Sequence, residues 1–306
     1  MATNQGCKGL VPDKTLDHKF LFYFLGKSVE LLNDLGTGAT FKELSGGKLK
    51  EVPIPLPPLP EQQRIVALLD DAFDGIATAK ANAEQNLKNA RELFESHLQA
   101  VFTQRGEGWE RQRIENVCES IMDCVNKTAP KVDEPTPFKM IRTTNVRGGK
   151  VNLDSVYYVT EDTYNVWTRR QTPKSGDVIL TREAPLGEVG MLLSDDKVFL
   201  GQRLVSYRAD PTQLDNHFLL YAFQSEDLQG QIRALGSGAT VQHMRVPDSK
   251  NLKLSLPHLR EQQTIVAHLD ALLATTQLLE SIYKQKLAAL DELKKSLLHK
   301  AFNGEL

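Results

Sequence analysis

The chain contains one long segment twice, and this duplication constrains its fold more than any other feature. Pro60-Glu61-Gln62-Gln63-Arg64-Ile65-Val66-Ala67-Leu68-Leu69-Asp70 returns as Glu261-Gln262-Gln263-Thr264-Ile265-Val266-Ala267-His268-Leu269-Asp270, displaced by 200 residues. The displacement holds without a gap from Leu35-Gly36-Thr37-Gly38-Ala39-Thr40, set against Leu235-Gly236-Ser237-Gly238-Ala239-Thr240, as far as Phe102 and Phe302. Register kept over such a span identifies a duplicated unit, so the architecture has to be read as a repeat first.

Within each copy the motif opens a helix. From position 61 to about 101 the apolar residues Ile65, Leu69, Ile76, Leu87, Phe94 and Leu98, with alanines between them, fall at spacings of three and four. The second copy repeats this with Ile265, Leu269, Leu272, Leu279, Tyr283, Leu287, Leu290 and Leu297. That spacing marks one face of a helix. Each helix would run for about 40 residues, or about 60 Å at 1.5 Å per residue. A single narrow stripe of that length needs a partner of similar length, and the other copy supplies it. The expected arrangement is an antiparallel, coiled-coil-like pair packed through these residues. The run Val52-Pro53-Ile54-Pro55-Leu56-Pro57-Pro58-Leu59-Pro60 ahead of the first helix must be extended, because proline fixes φ and biases the residue before it. Pro60 stands just ahead of the expected helix start, and Glu61 places negative charge at the positive end of the helix dipole.

Between the helices the pattern changes to short β-rich runs, expected at 138–142, 151–159, 177–181, 189–193 and 204–207, with a helix at 214–228. The fold class is therefore α+β, with expected segments at 1–60, 61–105, 106–260 and 261–306. The second copy carries about 90 residues, between Gly108 and Leu200, with no counterpart in the first. Positions 1–60 accordingly read as the tail of a first globular domain, and 106–260 as a complete one.

Chemistry in this chain is sparse. Gly26-Lys27-Ser28 has the end of a phosphate-binding loop, but Leu21 stands where that loop needs its first glycine. Seven histidines and three cysteines (Cys7, Cys118, Cys124) are scattered without metal-ligand spacing. No nucleophile, base and carboxylate can be tied together, so the expectation is a non-catalytic chain with no metal and no cofactor. A formal charge of −2 argues against a protein that coats nucleic acid by charge alone, yet leaves room for a local basic face. No apolar run approaches the roughly 20 residues that span a membrane, and no signal-peptide pattern follows Met1, so a cytoplasmic chain with no membrane partner is expected.

The polar residues on expected loops suit DNA. Arg142, Thr143, Thr144, Asn145, Arg147 and Lys150 surround two glycines after a strand. Arg169, Arg170, Arg182, Gln202, Arg203, Ser237, Thr240, Gln242 and His243 stand on other loops. Arginine matches guanine O6/N7 and asparagine or glutamine matches adenine N6/N7, while lysine and hydroxyls suit phosphates. Their convergence on one face would make them a site.

The Gly-Ser-Gly-Ala-Thr loop, the lead-in Leu254-Ser255-Leu256-Pro257 and the Glu-Gln-Gln-x-Ile-Val-Ala-x-Leu-Asp helix start together resemble the DNA-specificity subunit of type I restriction-modification systems. Ser175-Gly176-Asp177-Val178-Ile179-Leu180-Thr181-Arg182 is similar to a strand-and-loop motif of its target-recognition domains. The resemblance implies a subunit in which two recognition domains each read half of a bipartite site in double-stranded DNA. It implies that the long helices set the distance between the halves and bind methyltransferase subunits, which carry S-adenosylmethionine and methylate adenine N6. Restriction subunits are a further partner that it allows. The short first domain departs from that pattern. A truncated remnant, one piece of a split gene and a half-subunit completed as a homodimer or by a complementary fragment remain alternatives. With the first of these comes a second reading, a helical scaffold that binds methyltransferase without reading DNA alone.

Overall fold

The computed structural model describes residues 6–38, 42–238 and 242–306, so the expected contact residue Thr240 lies outside the described residues. Three helices come first, α1 (His18–Lys27), α2 (Val29–Leu35) and α3 (Gly46–Lys50), followed by the long α4 (Leu59–Gln104). Strands β1 (Glu110–Arg113), β2 (Cys118–Asp123), β3 (Phe138–Ile141), β4 (Val146–Arg147), β5 (Gly149–Val151) and β6 (Tyr157–Tyr158) lead to α5 (Glu161–Thr168). Then come β7 (Val178–Arg182), β8 (Leu186–Met191), β9 (Lys197–Leu200) and β10 (Leu204–Ala209). Helices α6 (Asn216–Gln224), α7 (Glu226–Leu235) and α8 (Val246–Lys250), strand β11 (Lys253–Leu256) and the long α9 (Leu259–Asn303) complete the order. The chain divides into two compact units, Met1–Arg91 with Gln277–Leu306, and Glu92–Thr276. Both long helices carry the division within them.

In the first unit the start of α4 and the end of α9 run antiparallel. Lys80 reaches Asp291 at 2.6 Å and Arg91 reaches Glu280 at 3.1 Å, and numbers rising on one helix meet numbers falling on the other. The α4 helix begins at Leu59, so Pro60 sits inside its first turn, where the missing N–H has no bond to make. Phe20 of α1 packs with Ile65, Val66, Leu69, Leu298 and Ala301. Asp17 caps α1, its carboxylate accepting from the Lys19 and Phe20 amides, as the unpaired first N–H groups require. Of the expected packing residues across both units, Ile65, Leu69, Ile76, Leu98 and Leu269 are buried. Leu87, Phe94, Ile265, Leu272, Leu279, Tyr283, Leu287, Leu290 and Leu297 are half-buried. One correction concerns α9, which is long and apolar enough by length and composition to cross a membrane. The sequence reading counted unbroken apolar runs and so passed over it. Near its end Leu298 and Ala301 pack with Ile65, Val66 and Leu69 of α4, and Lys294 stands over the Phe73 ring.

The second unit holds a six-stranded sheet of order β2-β10-β7-β8-β5-β4, a three-stranded sheet β6-β3-β9 and the pair β1-β11. Strand β7 explains its own unbroken apolar run. Val178 and Leu180 join the core with Val189, Met191, Tyr207, Phe218 and Phe223, while Ile179 joins a second core with Ile141, Val198 and Leu200. A strand covered on both faces has no reason to alternate polar with apolar. Helices α6 and α7 lie against β8, β5, β7 and β10.

Two expected elements are corrected. The single strand at 151–159 is two short pieces, β5 and β6, because Asn152 turns the chain by accepting from the Asp154 amide at 2.6 Å. The Asn145 amide then holds that turn through the Asn152 and Ser155 carbonyls. The single helix at 214–228 breaks at Ser225, whose hydroxyl bonds back to the Ala222 carbonyl while its backbone is extended. Glu226 and Asp227 then favour a new start, α7, at the positive end of its dipole.

Candidate functional site

The duplicated motif forms the same joint in each unit. Gln62 is fully buried; its Oε1 accepts from the Asp17 amide at 2.8 Å and its Nε2 donates to the Thr15 and Pro57 carbonyls. Gln262, also fully buried, accepts from the Asp215 amide at 2.9 Å and donates to the Gln213 and Pro257 carbonyls. About two turns further on, the Tyr23 hydroxyl donates to Asp70 and the Tyr221 hydroxyl donates to Asp270. Burial and the Asp70 carboxylate push the Tyr23 hydroxyl up to about 12, and burial with Asp270 pushes Tyr221 up likewise. Each glutamine satisfies three backbone groups that would otherwise lose water without gaining a partner. The motif is therefore a latch that fixes the capped helix α1 or α6 to the start of α4 or α9.

In the second unit the strand registers bring several loops to one rim. Parallel β3 and β9 end together, Ile141 opposite Leu200, and the Gly201 amide donates to the Ile141 carbonyl at 2.7 Å. The turn 201–203 passes directly into β10, whose first residues lie beside the ends of β2 (Val205 opposite Asp123) and β7 (Leu204 opposite Thr181). His243 joins them, bridged to both Glu183 and Ser237, and the Met244 amide donates to the Arg182 carbonyl. A Cβ on Gly201 would lie 2.6 Å from the Ile141 oxygen, so this close approach requires glycine. Ala184 and Arg203, both on the rim, hold positive φ of 52° and 73°. Such backbone costs on the order of 1–3 kcal/mol and persists where the surroundings over-determine it, which happens most at functional sites.

The expected contact residues divide into three groups. Arg142, Asn145, Arg170 and Arg182 hold the rim together. Arg142 lies 3.9 Å from the Tyr157 ring and donates to the Ser155 carbonyl, and its Nε is buried. Asn145 is buried and accepts from the Arg142 amide. Arg170 spans Asp123 and the Cys124 carbonyl, and Arg182 donates to the Met244 carbonyl at 2.9 Å. A second group is presented at the rim surface: Thr144, Arg169, Gln202, Arg203, Ser237, Gln242 and His243 are exposed, with Thr143 half-buried. Arg203 pairs loosely with Glu183 at 3.3 Å. The third pair, Arg147 and Lys150, stands apart on the β4–β5 hairpin, where Arg147 meets Glu188 of β8. Two residues of the cluster, Lys131 and Tyr157, escaped the sequence reading. Lys131 and Arg142 both lie over the ring of Tyr157, which is 38% exposed. The adjacent Tyr157-Tyr158 pair was the available signal, and it had been placed inside a strand.

What this arrangement can do is bind. Donors and acceptors of mixed type, with guanidinium and aromatic faces among them, form a surface suited to base edges and phosphates. Among the described residues no group of three histidine, cysteine or acidic side chains is placed to hold a metal ion. Burial pushes the Cys118 thiol up to about 12, which leaves it a poor nucleophile.

Comparisons with known proteins show the family and the fold. A family model described as type I restriction modification DNA specificity domain matches residues 1–89 and 106–287. The type I restriction enzyme EcoBI specificity subunit of Escherichia coli is 23% identical, over 98% of this chain and 68% of its own length. The MjaVIII specificity subunit of Methanocaldococcus jannaschii is 25% identical, over 96% of this chain and 71% of its own length. The crystal structure of the HsdS subunit from Thermoanaerobacter tengcongensis superposes with a TM-score of 0.65 at 22% identity, covering 96% of this chain and 72% of that one. It supports the fold.

Proposed function

The chain belongs to the type I restriction-modification DNA-specificity family, and from that membership we propose that it reads DNA through the rim where β2, β3, β7 and β9 end. The observation that carries this reading is the convergence of loops far apart in sequence onto one surface, with Gly201 bonded to Ile141 at its centre. Gln202, Arg203, Gln242 and His243 supply the groups that read base edges in the major groove. Arg169, Thr143, Thr144, Ser237 and the Lys131-Tyr157-Arg142 cluster serve phosphates and sugars, which set register without reading sequence. Arg182, Asn145 and Arg170 act behind this surface by fixing the loops that carry it. The second unit so reads one half-site.

Methyl transfer then falls to methyltransferase subunits that hold S-adenosylmethionine and dock on the long helices, with restriction subunits joining the same complex. The chain acts in the cytoplasm, where its DNA is. The test is footprinting of the complex assembled with its methyltransferase. Protection of a defined sequence that weakens with Arg203→Ala supports the reading, and assembly without any sequence preference refutes it. A second reading, a scaffold that binds methyltransferase without DNA, draws on the first unit, whose α1 and α2 carry no sheet among the described residues. Methyltransferase capture with no footprint would favour it.

A further inference from the structure

A carboxylate stands among the donors of the rim. Glu183 follows β7, its backbone bridged to His243 on one side, while on the other the Arg182 amide donates to the Arg203 carbonyl at 2.8 Å. The Glu183 carboxylate pairs with Arg203, Nε to oxygen at 3.3 Å, with the two side chains 27% and 51% exposed. The other strand-end pair in this unit is built differently. Arg208 donates twice to Asp177, at 2.8 Å each time, and these side chains are only 18% and 1% exposed. Arg208 and Asp177 are spent on the fold. Arg203 and Glu183 are slack and open, and a guanidinium with five donors beside a carboxylate with about four acceptor sites keeps capacity for a ligand.

The backbone under the pair supports a role beyond folding. Arg203 holds a φ of 73°, and Ala184, next to Glu183, holds 52°. Glycine adopts such angles without strain, so a long charged side chain at 203 works against the preference of its own backbone.

DNA phosphates repel a carboxylate, so Glu183 meets a duplex favourably only where the duplex offers a donor. In the major groove those donors are the amino groups of cytosine and adenine. The arginine beside it calls for acceptors, and guanine presents two adjacent ones, O6 and N7, which match the guanidinium fork together. Guanine with its paired cytosine therefore offers two neighbouring acceptors and then a donor. Adenine with thymine alternates acceptor, donor and acceptor, and gives the fork no adjacent pair.

We propose that Arg203 and Glu183 form one reading unit for a single G·C pair of the half-site. Arg203 donates to guanine O6 and N7, and Glu183 accepts from cytosine N4. The inference rests on the reading of DNA by the rim, and adds to it a specificity-determining residue, Glu183, and the base pair that the two select.

The test measures binding of the full chain, assembled with its methyltransferase, to duplexes carrying its methylation motif. Each guanine of the half-site is replaced in turn by 7-deazaguanine, which lacks N7, and each cytosine by N4-methylcytosine, which blocks the amino donor. The expected result is that both analogues weaken binding about tenfold or more at one and the same pair. Arg203→Ala should abolish the 7-deazaguanine effect there, and Glu183→Ala the N4-methylcytosine effect. The analogue pattern on the native complex decides even where Glu183→Ala does not fold. No pair sensitive to both analogues, or a folded Glu183→Ala complex that keeps its N4-methylcytosine effect, would overturn the proposal. If Gln202→Ala or Gln242→Ala then still relaxes base preference, the rim reads DNA and only the pair assignment fails. If none of the four variants alters base preference, the rim reading fails with it.

Discussion

Replacing the latch glutamine by leucine separates the two units energetically. Gln262→Leu keeps the side-chain volume but leaves the Asp215 amide and the Gln213 and Pro257 carbonyls without their bonds of 2.9, 2.9 and 2.8 Å. An unsatisfied buried polar group costs about 1–3 kcal/mol. The Pro257 bond is wholly buried and the other two partly so, which puts their share at the lower end and the total at about 3–5 kcal/mol. With a urea dependence of about 2–3 kcal/mol per molar, the unfolding midpoint of the second unit should fall by about 1.5 M. Hydrogen exchange locates the damage. Gln262→Leu should deprotect α6 and the 253–258 segment, and Gln62→Leu should deprotect α1 and the 53–58 segment, each leaving the other unit unchanged. A loss below about 1 kcal/mol in either variant, or deprotection spread evenly over both units, would refute the latch.

Arg142→Ala should act on stability, because the guanidinium holds Tyr157 and the Ser155 carbonyl; a loss of about 1–3 kcal/mol in thermal unfolding is expected, with Lys127→Ala as a silent control. Arg203→Ala should leave stability within about 0.5 kcal/mol but weaken or relax DNA recognition by about 1–3 kcal/mol, read as binding to cognate and mismatched duplexes. The Lys19 and Tyr23 donors hold the Asp70 carboxyl below its ordinary value. Its contribution is therefore complete above that ordinary value of about 4 and is lost as pH falls through the depressed one. Tyr23, raised to about 12, contributes below pH about 10 and is lost as pH rises towards 12. Asp70→Asn should remove the acid trend from the pH dependence of melting and weaken the alkaline one, whose larger cause, the burial of Tyr23, stays in place. Gly201→Ala forces a Cβ to within 2.6 Å of the Ile141 oxygen and should separate β3 from β9, seen as lost strand protection in hydrogen exchange.

The long helices were legible in the sequence because their signal is local. Apolar residues three and four apart, repeated in two copies, leave one geometry for residues such as Ile65 and Leu269. The latch was visible as a motif and silent as a function, since two of the three partners of Gln62 and of Gln262 lie 45 to 49 residues upstream. The rim depends on β3 pairing in parallel with β9, Phe138 opposite Lys197, and no local pattern announces a pairing of that separation. Arg142 and Asn145 read as free donors only because sequence cannot show Tyr157 and Ser155 consuming them. The helix expected at 214–228 failed for the opposite reason, a purely local one, in that Ser225 offers its hydroxyl to the backbone as an alternative to the next helical bond.

Methylome sequencing of cells carrying the chain with its methyltransferase tests the central claim most directly, comparing the native chain with Gln202→Ala and Arg203→Ala. The account predicts a defined adenine-methylation motif that becomes degenerate at one or two positions of a single half-site in these variants. An identical motif in all three would contradict it, because the rim would then not be the surface that reads DNA.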